Sequence, residues 1–357
     1  MKINFLLPQP PWFPMGGYRV VYEYANGLAE KGYEITVIYA SHLKGFGPLP
    51  IKRRIKEIVG YCYFNLIKPS VKWQPISPKV KILYVWQPFP KNIPDANVIF
   101  ATTPETAEYV NEYGLKKGSK YYLVMDFYPW FGSFEKLSRV WKMPFRKISI
   151  CGWITEQVIS SGASDVHTIP LGIAFDRFKI TNPIENRKKP VSIMFHRAPY
   201  KDIKTGIRAL EICRNSFPEI EVFAFGPDII RPAILPKWIT YLGRLSHNAL
   251  VQFYNETSIF VSSSIAEGFA LPPAEAMACG CAVVSTNCGG IMDYALHGEN
   301  CLLSQPQDER LLAENILMLL KNDSLRKKIA TKGSEDIRRF KWEKSIALLE
   351  DLLMNRK

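Results

Sequence analysis

The 357-residue chain contains no apolar run approaching the ~18 residues that a membrane-spanning helix requires. Its opening, MKINFLLPQPPWFP, lacks a secretory h-region: the apolar part runs only from Ile3 to Leu7 before Pro8, Gln9 and a proline pair break it. A cytoplasmic protein is the expectation. Paired C-x-x-C knuckles are also missing. Seven cysteines occur, an odd number. Cys279, Cys281, Cys288 and Cys301 cluster with C-x-C spacing and then gaps of six and twelve residues, without a histidine at finger-like distance. Reduced thiols used as small buried residues are expected there, and no metal. Histidines number only five, and His42, His167, His247 and His297 have no partner nearby in sequence. Helix-turn-helix, zinc-finger and RNA-binding signatures are absent and the basic residues are spread along the chain, which argues against a nucleic-acid partner. Acidic residues are in deficit: 46 Lys and Arg against 33 Asp and Glu give +13. Such an excess favours an anionic partner, a nucleotide or an acidic membrane surface, without choosing between them.

What is present describes a folded α/β protein. Hydrophobic residues make up 47% and charged residues 22%, and the length suits two domains. KINFLLP reads as a buried strand. After Gly16 and Gly17, apolar residues at Val20, Val21, Tyr24, Ala25, Leu28 and Ala29 have helical spacing up to Gly32, and EITVIYA is a second strand. Strand, glycine loop, helix, strand is a βαβ unit and implies a parallel sheet. KILYVW, NVIFAT, KYYLVMDF and KISICGW continue as short buried strands, with PETAEYVNEYG a helix. The polar stretch TNPIENRKKP has the composition of a linker. Beyond it the alternation restarts: VSIMFH, a helix over 204–214, EVFAFG, ITYLG, a helix over 246–255, SIFVSS, CAVVST, a helix near 290–296, CLLS, and a helical end. Two doubly wound domains facing a cleft are expected, over 1–170 and 171–340. Residues 341–357 would form a helix packing back on the first. Sheets of this kind bind ligands at the carboxyl ends of their strands.

The richest stretch is 264-SIAEGFALPPAEAMACG-280, where Glu267 and Glu275 have seven residues between them. The strand SIFVSS precedes it and PAEAMACG reads as a short helix capped by Gly280. The loop of Gly268, Phe269 and Ala270 then offers backbone N–H groups beside a helix start, a place suited to phosphate. Glu275 would lie in the helix's first turn, where the dipole alone accounts for an acid. Glu267 could equally be a solvated loop acid.

Taken as a string, S-x-x-E-G-F-x-L-P-P-x-E-A-M-A-C-G continuing into A-V-V-x-S/T and a G-G loop resembles the E-x7-E signature of glycosyltransferase family 4, of the GT-B fold. Gly16-Gly17, IPLGIAFDRF, YLGRLSHNALVQFYNETSIFVSS, HGENCLL and the closing RRFKWEKSIALLEDLL match in the same order, densely in the C-terminal half and thinly in the N-terminal half. The resemblance implies a retaining transfer of a sugar from a nucleotide donor to a hydroxyl acceptor, with no metal and no other cofactor. It implies Glu275 as a clamp on the ribose hydroxyls and Glu267 as a contact of the donor sugar. The amides of Gly268, Phe269, Ala270 and Leu271 would lie near the diphosphate and sugar, with Leu245 also on the donor side. The family's arginine and lysine, commonly R-x4-K-G, point in HRAPYKDIKTG to Arg197 and Lys201. The spacing is one residue shorter here and Asp202 stands for the glycine, so Lys204 is a substitute for Lys201; either could instead belong to a solvated basic loop. His196 adjoins Arg197.

Gly16 and Gly17 resemble the first-domain loop near the diphosphate and acceptor, with Tyr18 and Arg19 beside them. In YYLVMDFYPWF, Asp126 occupies the place of a sugar-contacting histidine, and D-x-x-P-W resembles members using deoxysugar donors such as dTDP-rhamnose; capping of the strand end is the alternative for Asp126. UDP-, GDP- and dTDP-sugars all remain candidate donors, and a glycan or lipid-linked glycan the acceptor, in cell-surface polysaccharide or glycoconjugate synthesis. A phosphorylase or epimerase of the same fold is the rival reading. The basic, aromatic segment 52–73, with Lys52, Arg53, Arg54, Lys56, Lys68 and Lys72, reads equally as a solvated basic side over an aromatic core, an acceptor face, or a peripheral contact with an anionic membrane.

Overall fold

The structure is a computed structural model and describes residues 1–9, 14–43, 51–67, 73–127 and 133–355, without the side chains of residues 51–56 and Lys189. The chain divides into two units, Met1–Pro170 with Glu343–Lys357, and Leu171–Trp342.

The first unit is built on seven strands: β1 Lys2–Pro8, β2 Glu34–Ala40, β3 Lys81–Val85, β4 Val98–Ala101, β5 Ser119–Val124, β6 Arg146–Ser149 and β7 Val166–Thr168. All neighbours are parallel, in the order β3-β2-β1-β4-β5-β6-β7. Phe5 in β1 pairs with Val37 and with Phe100, and β4 is buried along its whole length, as expected of strands covered on both faces. The helices are α1 Gly16–Glu30, α2 Ile51–Ile67, α3 Pro104–Asn111, α4 Phe134–Trp141 and α5 Gly152–Ser160. Gly16 and Gly17, expected in a loop, are the first two residues of α1, with Met15 as N-cap. Helix α4, which the sequence reading missed, is short, with apolar residues on one side only.

The second unit has six parallel strands: β8 Lys189–Met194, β9 Val222–Phe225, β10 Thr240–Tyr241, β11 Thr257–Ser262, β12 Ala282–Thr286 and β13 Leu302–Ser304. Their order is β10-β9-β8-β11-β12-β13. Around them lie α6 Ile203–Ser216, α7 His247–Glu256, α8 Leu271–Ala278, α9 Glu309–Lys321 and α10 Asp323–Asp336. The helix expected near 290–296 is a single 3-10 turn, Gly290–Asp293. TNPIENRKKP is no loose linker. It holds a 3-10 turn at Ile184–Asn186 and the start of β8, and Arg187 in it is anchored to the core.

The last helix, α11 Trp342–Met354, enters the first unit from Glu343. A Cβ on Gly27 of α1 would lie 2.2 Å from Cδ1 of Ile346, so any side chain there would make Ile346 shift. Glu350 accepts from Lys31 at 2.5 Å and from the Tyr33 hydroxyl at 2.8 Å. Both sheets thus run outward in two directions from a central pair, β1 and β4 in one, β8 and β11 in the other. Between such a pair the crossovers leave on opposite faces and a crevice opens at the carboxyl ends.

Candidate functional site

In the second unit the loops leaving β8 and β11 flank the central crevice, and they carry Arg197, Lys201, Glu267 and Gly268. The ammonium of Lys201 reaches Oε1 of Glu267 at 2.5 Å, and the Ser264 hydroxyl donates to the same oxygen at 2.7 Å. Both side chains of the ion pair are mostly shielded from water. A pair so placed loses much hydration on both partners and is weak evidence of a stabilising role; it is better placed to present a carboxylate and a cation side by side. Ser264 lies within the motif, and its spacing of three residues from Glu267 is the one sequence signal of this partnership.

The loop is held by neighbours that leave little freedom. Glu267 pairs as an isolated bridge with Gly289, its N–H donating to Cys288 O at 2.9 Å. A Cβ on Gly290 would stand 2.0 Å from the carbonyl oxygen of Gly268. The G-G turn after β12 is therefore needed for backbone to lie directly on backbone. Phe269 is buried against Tyr294 and Phe340, with ring centroids 5.3 and 5.5 Å away, so its side chain belongs to the core. Ala270 adopts the left-handed conformation, φ 58°, and its carbonyl accepts from the Tyr294 hydroxyl at 2.7 Å. That conformation is costly for alanine and persists because the surroundings impose it.

Helix α8 follows with prolines at 272 and 273, which have no N–H. The donors at this helix start are therefore amides of the loop and of Leu271. Among the described residues no acceptor engages the N–H of Phe269, Ala270 or Leu271. Glu275, expected in the first turn, lies in the second, too far along for the helix dipole to account for it. It is buried nonetheless, at 5% exposure. Burial first, then the thiols of Cys288 and Cys301 and the carboxylates of Glu267 and Glu275, push the Tyr294 phenol far above its ordinary range. Both glutamates thus lie within electrostatic reach of one hydroxyl that braces the loop between them.

On the other side of the crevice, Arg197 is 74% exposed with Nε on Oδ2 of Asp228 at 2.7 Å. It is not paired with Glu267. Asp228, which follows β9, went unread because it is distant in sequence. Lys204 is exposed in the first turn of α6, apart from the Lys201–Glu267 pair. Asp202, standing where the resembled pattern has glycine, adopts the left-handed conformation that glycine would supply, φ 36°. Its Oδ1 caps Thr205 N at 3.4 Å, and Oδ2 is buried without a partner. His196 is half-buried with Nδ1 accepting from Ala198 N at 3.0 Å; burial, then the Lys201 charge, holds its pKa below the ordinary histidine value. Leu245 is half-buried just before Ser246, the N-cap of α7.

Arg187 works from behind. Its guanidinium donates to the carbonyls of Tyr254 (2.9 Å), Thr257 (2.8 Å) and Cys279 (2.6 Å), tying the end of α7, the start of β11 and the end of α8 together. The four clustered cysteines are buried and reduced, as expected, and burial pushes Cys281 and Cys288 up to about 12.

In the first unit, Asp126 follows β5 and accepts from the Phe127 N–H at 2.7 Å. Pro129 and Trp130 of the D-x-x-P-W stretch lie outside the described residues. Gly17 at the start of α1 faces the Met125 methyl, and buried Tyr18 feels the charge of Glu105, a buried acid in the first turn of α3 that the sequence reading did not single out. Gly17 and Tyr18 follow β1 and Glu105 follows β4, the central pair of that sheet, while Asp126 follows the neighbouring β5. Among the described residues no three metal-binding side chains come together, and no helix is long and apolar enough to cross a membrane.

The glycosyl transferases group 1 family matches residues 176–336. An uncharacterized glycosyltransferase of Methanocaldococcus jannaschii is 36% identical over 108 residues, 30% of this chain and 31% of that protein. The O-antigen chain mannosyltransferase B of Escherichia coli is 35% identical over 106 residues, 30% of this chain and 27% of its own length. The matched segments therefore span about a third of these relatives. Among solved structures, Anabaena HepE in complex with UDP and glucose superposes with a TM-score of 0.74 at 17% identity, covering 99% of both chains. Staphylococcus aureus TarM does so at 0.75 and 12% identity, again over 99% of both. Such identities speak for the fold, which is GT-B. The family match falls within the second unit, over residues 176–336.

Proposed function

We propose that the chain is a retaining glycosyltransferase that moves a sugar from a nucleotide donor to a hydroxyl of a glycan or lipid-linked glycan, in polysaccharide or glycoconjugate synthesis, without a metal. One observation carries this reading. The Lys201–Glu267 pair and the unengaged amides of Phe269, Ala270 and Leu271 lie on loops of the central crevice, within the matched domain. Glu275 is assigned to the ribose hydroxyls, because a carboxylate accepts two hydrogen bonds from a vicinal diol. Glu267 is assigned to the donor sugar. The loop amides and Lys201 take the diphosphate; Lys201 is preferred to Lys204 because it is already held beside Glu267. As the glycosidic bond loosens, negative charge collects on the leaving diphosphate, and fixed donors aimed there lower the barrier. Arg197 joins them by exchanging Asp228 for phosphate.

UDP is the first donor base to test, because HepE is described with UDP-glucose and TarM with UDP and α-GlcNAc-glycerol. GDP and dTDP follow, and Asp126 keeps a deoxysugar such as rhamnose among the candidates. The test is a thermal-shift series with UDP, GDP, dTDP and their common sugars. At 100 times its Kd a ligand stabilises by about 2.7 kcal/mol, a readily measured rise. No shift with any nucleotide would overturn the assignment.

A further inference from the structure

The amino ends of β5, β6 and β7, at the end of the sheet opposite its crevice, concentrate positive charge. Strand β5 begins Ser119-Lys120, β6 begins Arg146-Lys147, and Lys142 is the C-cap of α4. With Ser164 and Asp165, just ahead of β7, these residues line one cavity of about 470 Å³. That volume lies in the range of small-molecule sites.

Asp165 is the one acid in the lining, and it is already matched. Arg146 Nε lies 3.2 Å from its Oδ2 and His167 Nε2 lies 2.8 Å from its Oδ1. Arg146 also donates to the carbonyls of Leu352 and Asn355, at 3.5 and 3.2 Å. The three lysines are left over. Lys147 is only 1% exposed, and its ammonium donates to Ser164 O at 3.0 Å. Lys120 is half-buried and donates to Asn111 O at 2.7 Å. Lys142 is exposed, and among the described residues no acceptor meets its ammonium. An ammonium carries three donors, so most of this capacity is unused. Burial lowers the pKa of Lys120, and that of Lys147 against an opposing pull from Asp165. Charge is thus held in a poorly hydrated place with no carboxylate at ion-pair distance from either lysine among the described residues, an arrangement that an anion would relieve.

We propose that this cavity binds a small phosphate-bearing anion between Lys120, Lys142 and Lys147. Lysines bind phosphate as point charges, and three of them around one tetrahedral dianion would supply the acceptors that their N–H groups lack. Free phosphate and a phosphate ester share this chemistry. The inference rests on the first unit alone and is independent of the assignments in the second.

The test is amine acylation of the full chain, read by peptide mass spectrometry, in chloride, inorganic phosphate and glycerol 3-phosphate at equal ionic strength. At ten times its Kd a ligand leaves about a tenth of the sites free, so acylation of Lys142 is expected to slow about tenfold. Lys91, an exposed lysine of the same unit, should react as in chloride. Equal protection by both probes would assign the site to phosphate itself, and stronger protection by glycerol 3-phosphate to an ester; either supports the proposal. Lys120→Gln should raise the Kd about tenfold or more, the scale of a lost hydrogen bond to a charged group. Lys147→Met should do the same, and Lys120→Gln keeps the test valid if Lys147→Met does not fold. Lys201→Ala should leave the protection of Lys142 intact, which separates this site from the diphosphate loop of the second unit. Unchanged acylation of Lys142 in both probes overturns the proposal. So does equal slowing at Lys91, which would mean general screening, or undiminished protection in Lys120→Gln.

Discussion

Glu267 and Glu275 look alike in sequence, yet the chain treats them differently. Glu267 is held by Lys201 and Ser264 on a loop, whereas Glu275 is buried in the second turn of α8. Glu275→Ala is expected to lower nucleotide-sugar turnover about 100-fold or more, the scale of losing hydrogen bonds worth ~3 kcal/mol to a charged group. Near-normal turnover in a folded variant would remove the ribose assignment. Asp202 offers a test of opposite sign. Glycine there relieves a left-handed backbone while giving up one long cap bond, so Asp202→Gly should stabilise by about 0.5–1 kcal/mol. Urea midpoints decide it, and a lower midpoint counts against strain at this position. His196 brings pH into the site. Its folded pKa is depressed by burial and by Lys201, so the unfolded chain binds the proton more readily. Its contribution is complete above about pH 6.5 and is lost as pH falls toward the folded value. His196→Gln should therefore flatten the decline of the melting temperature between neutral and acid pH; an unchanged profile would refute this.

Among the elements, α8 shows how far local rules carry. Its prolines, its Gly280 cap and the acids around it were legible in the string from 264 to 280. The start of the helix was not, because Leu271 and Pro272 are drawn into it by an alanine in a conformation no propensity scale would assign. Arg187 was similarly invisible. A basic residue in a polar stretch reads as solvated until three carbonyls from distant segments are seen converging on it. Arg187→Met is expected to leave those acceptors unpaired and destabilise the chain by about 3 kcal/mol. It should also raise the KM for donor, since the end of α8 is released; a stability loss with donor KM unchanged would make Arg187 purely structural. The glycine pair at 16 and 17 shows the reverse error. Its composition predicts a loop, but the helix that follows extends back through it.

For the molecule as a whole, the repeated alternation of short apolar strands with periodic helices implies the two parallel sheets. The order of strands was not readable, since no local pattern says which edge of a sheet a strand joins; only the packed sheets show β1–β4 and β8–β11 as the central pairs. At this scale the metal-free reading makes its own prediction: turnover should be unchanged by EDTA. Loss with chelator and recovery with Mg²⁺ or Mn²⁺ would contradict it.

The division of the chain also bears on how the protein is made. The first unit needs Glu343–Lys357, whose Ile346 seats against Gly27 and whose Glu350 binds Lys31 and Tyr33. These residues leave the ribosome after the entire second unit. The usual order, in which the N-terminal domain folds first during synthesis, is therefore open here only to an incomplete version of that domain. The seven-stranded sheet must wait, with one side of α1 uncovered, until the second unit has been synthesised and the last helix arrives to close the first.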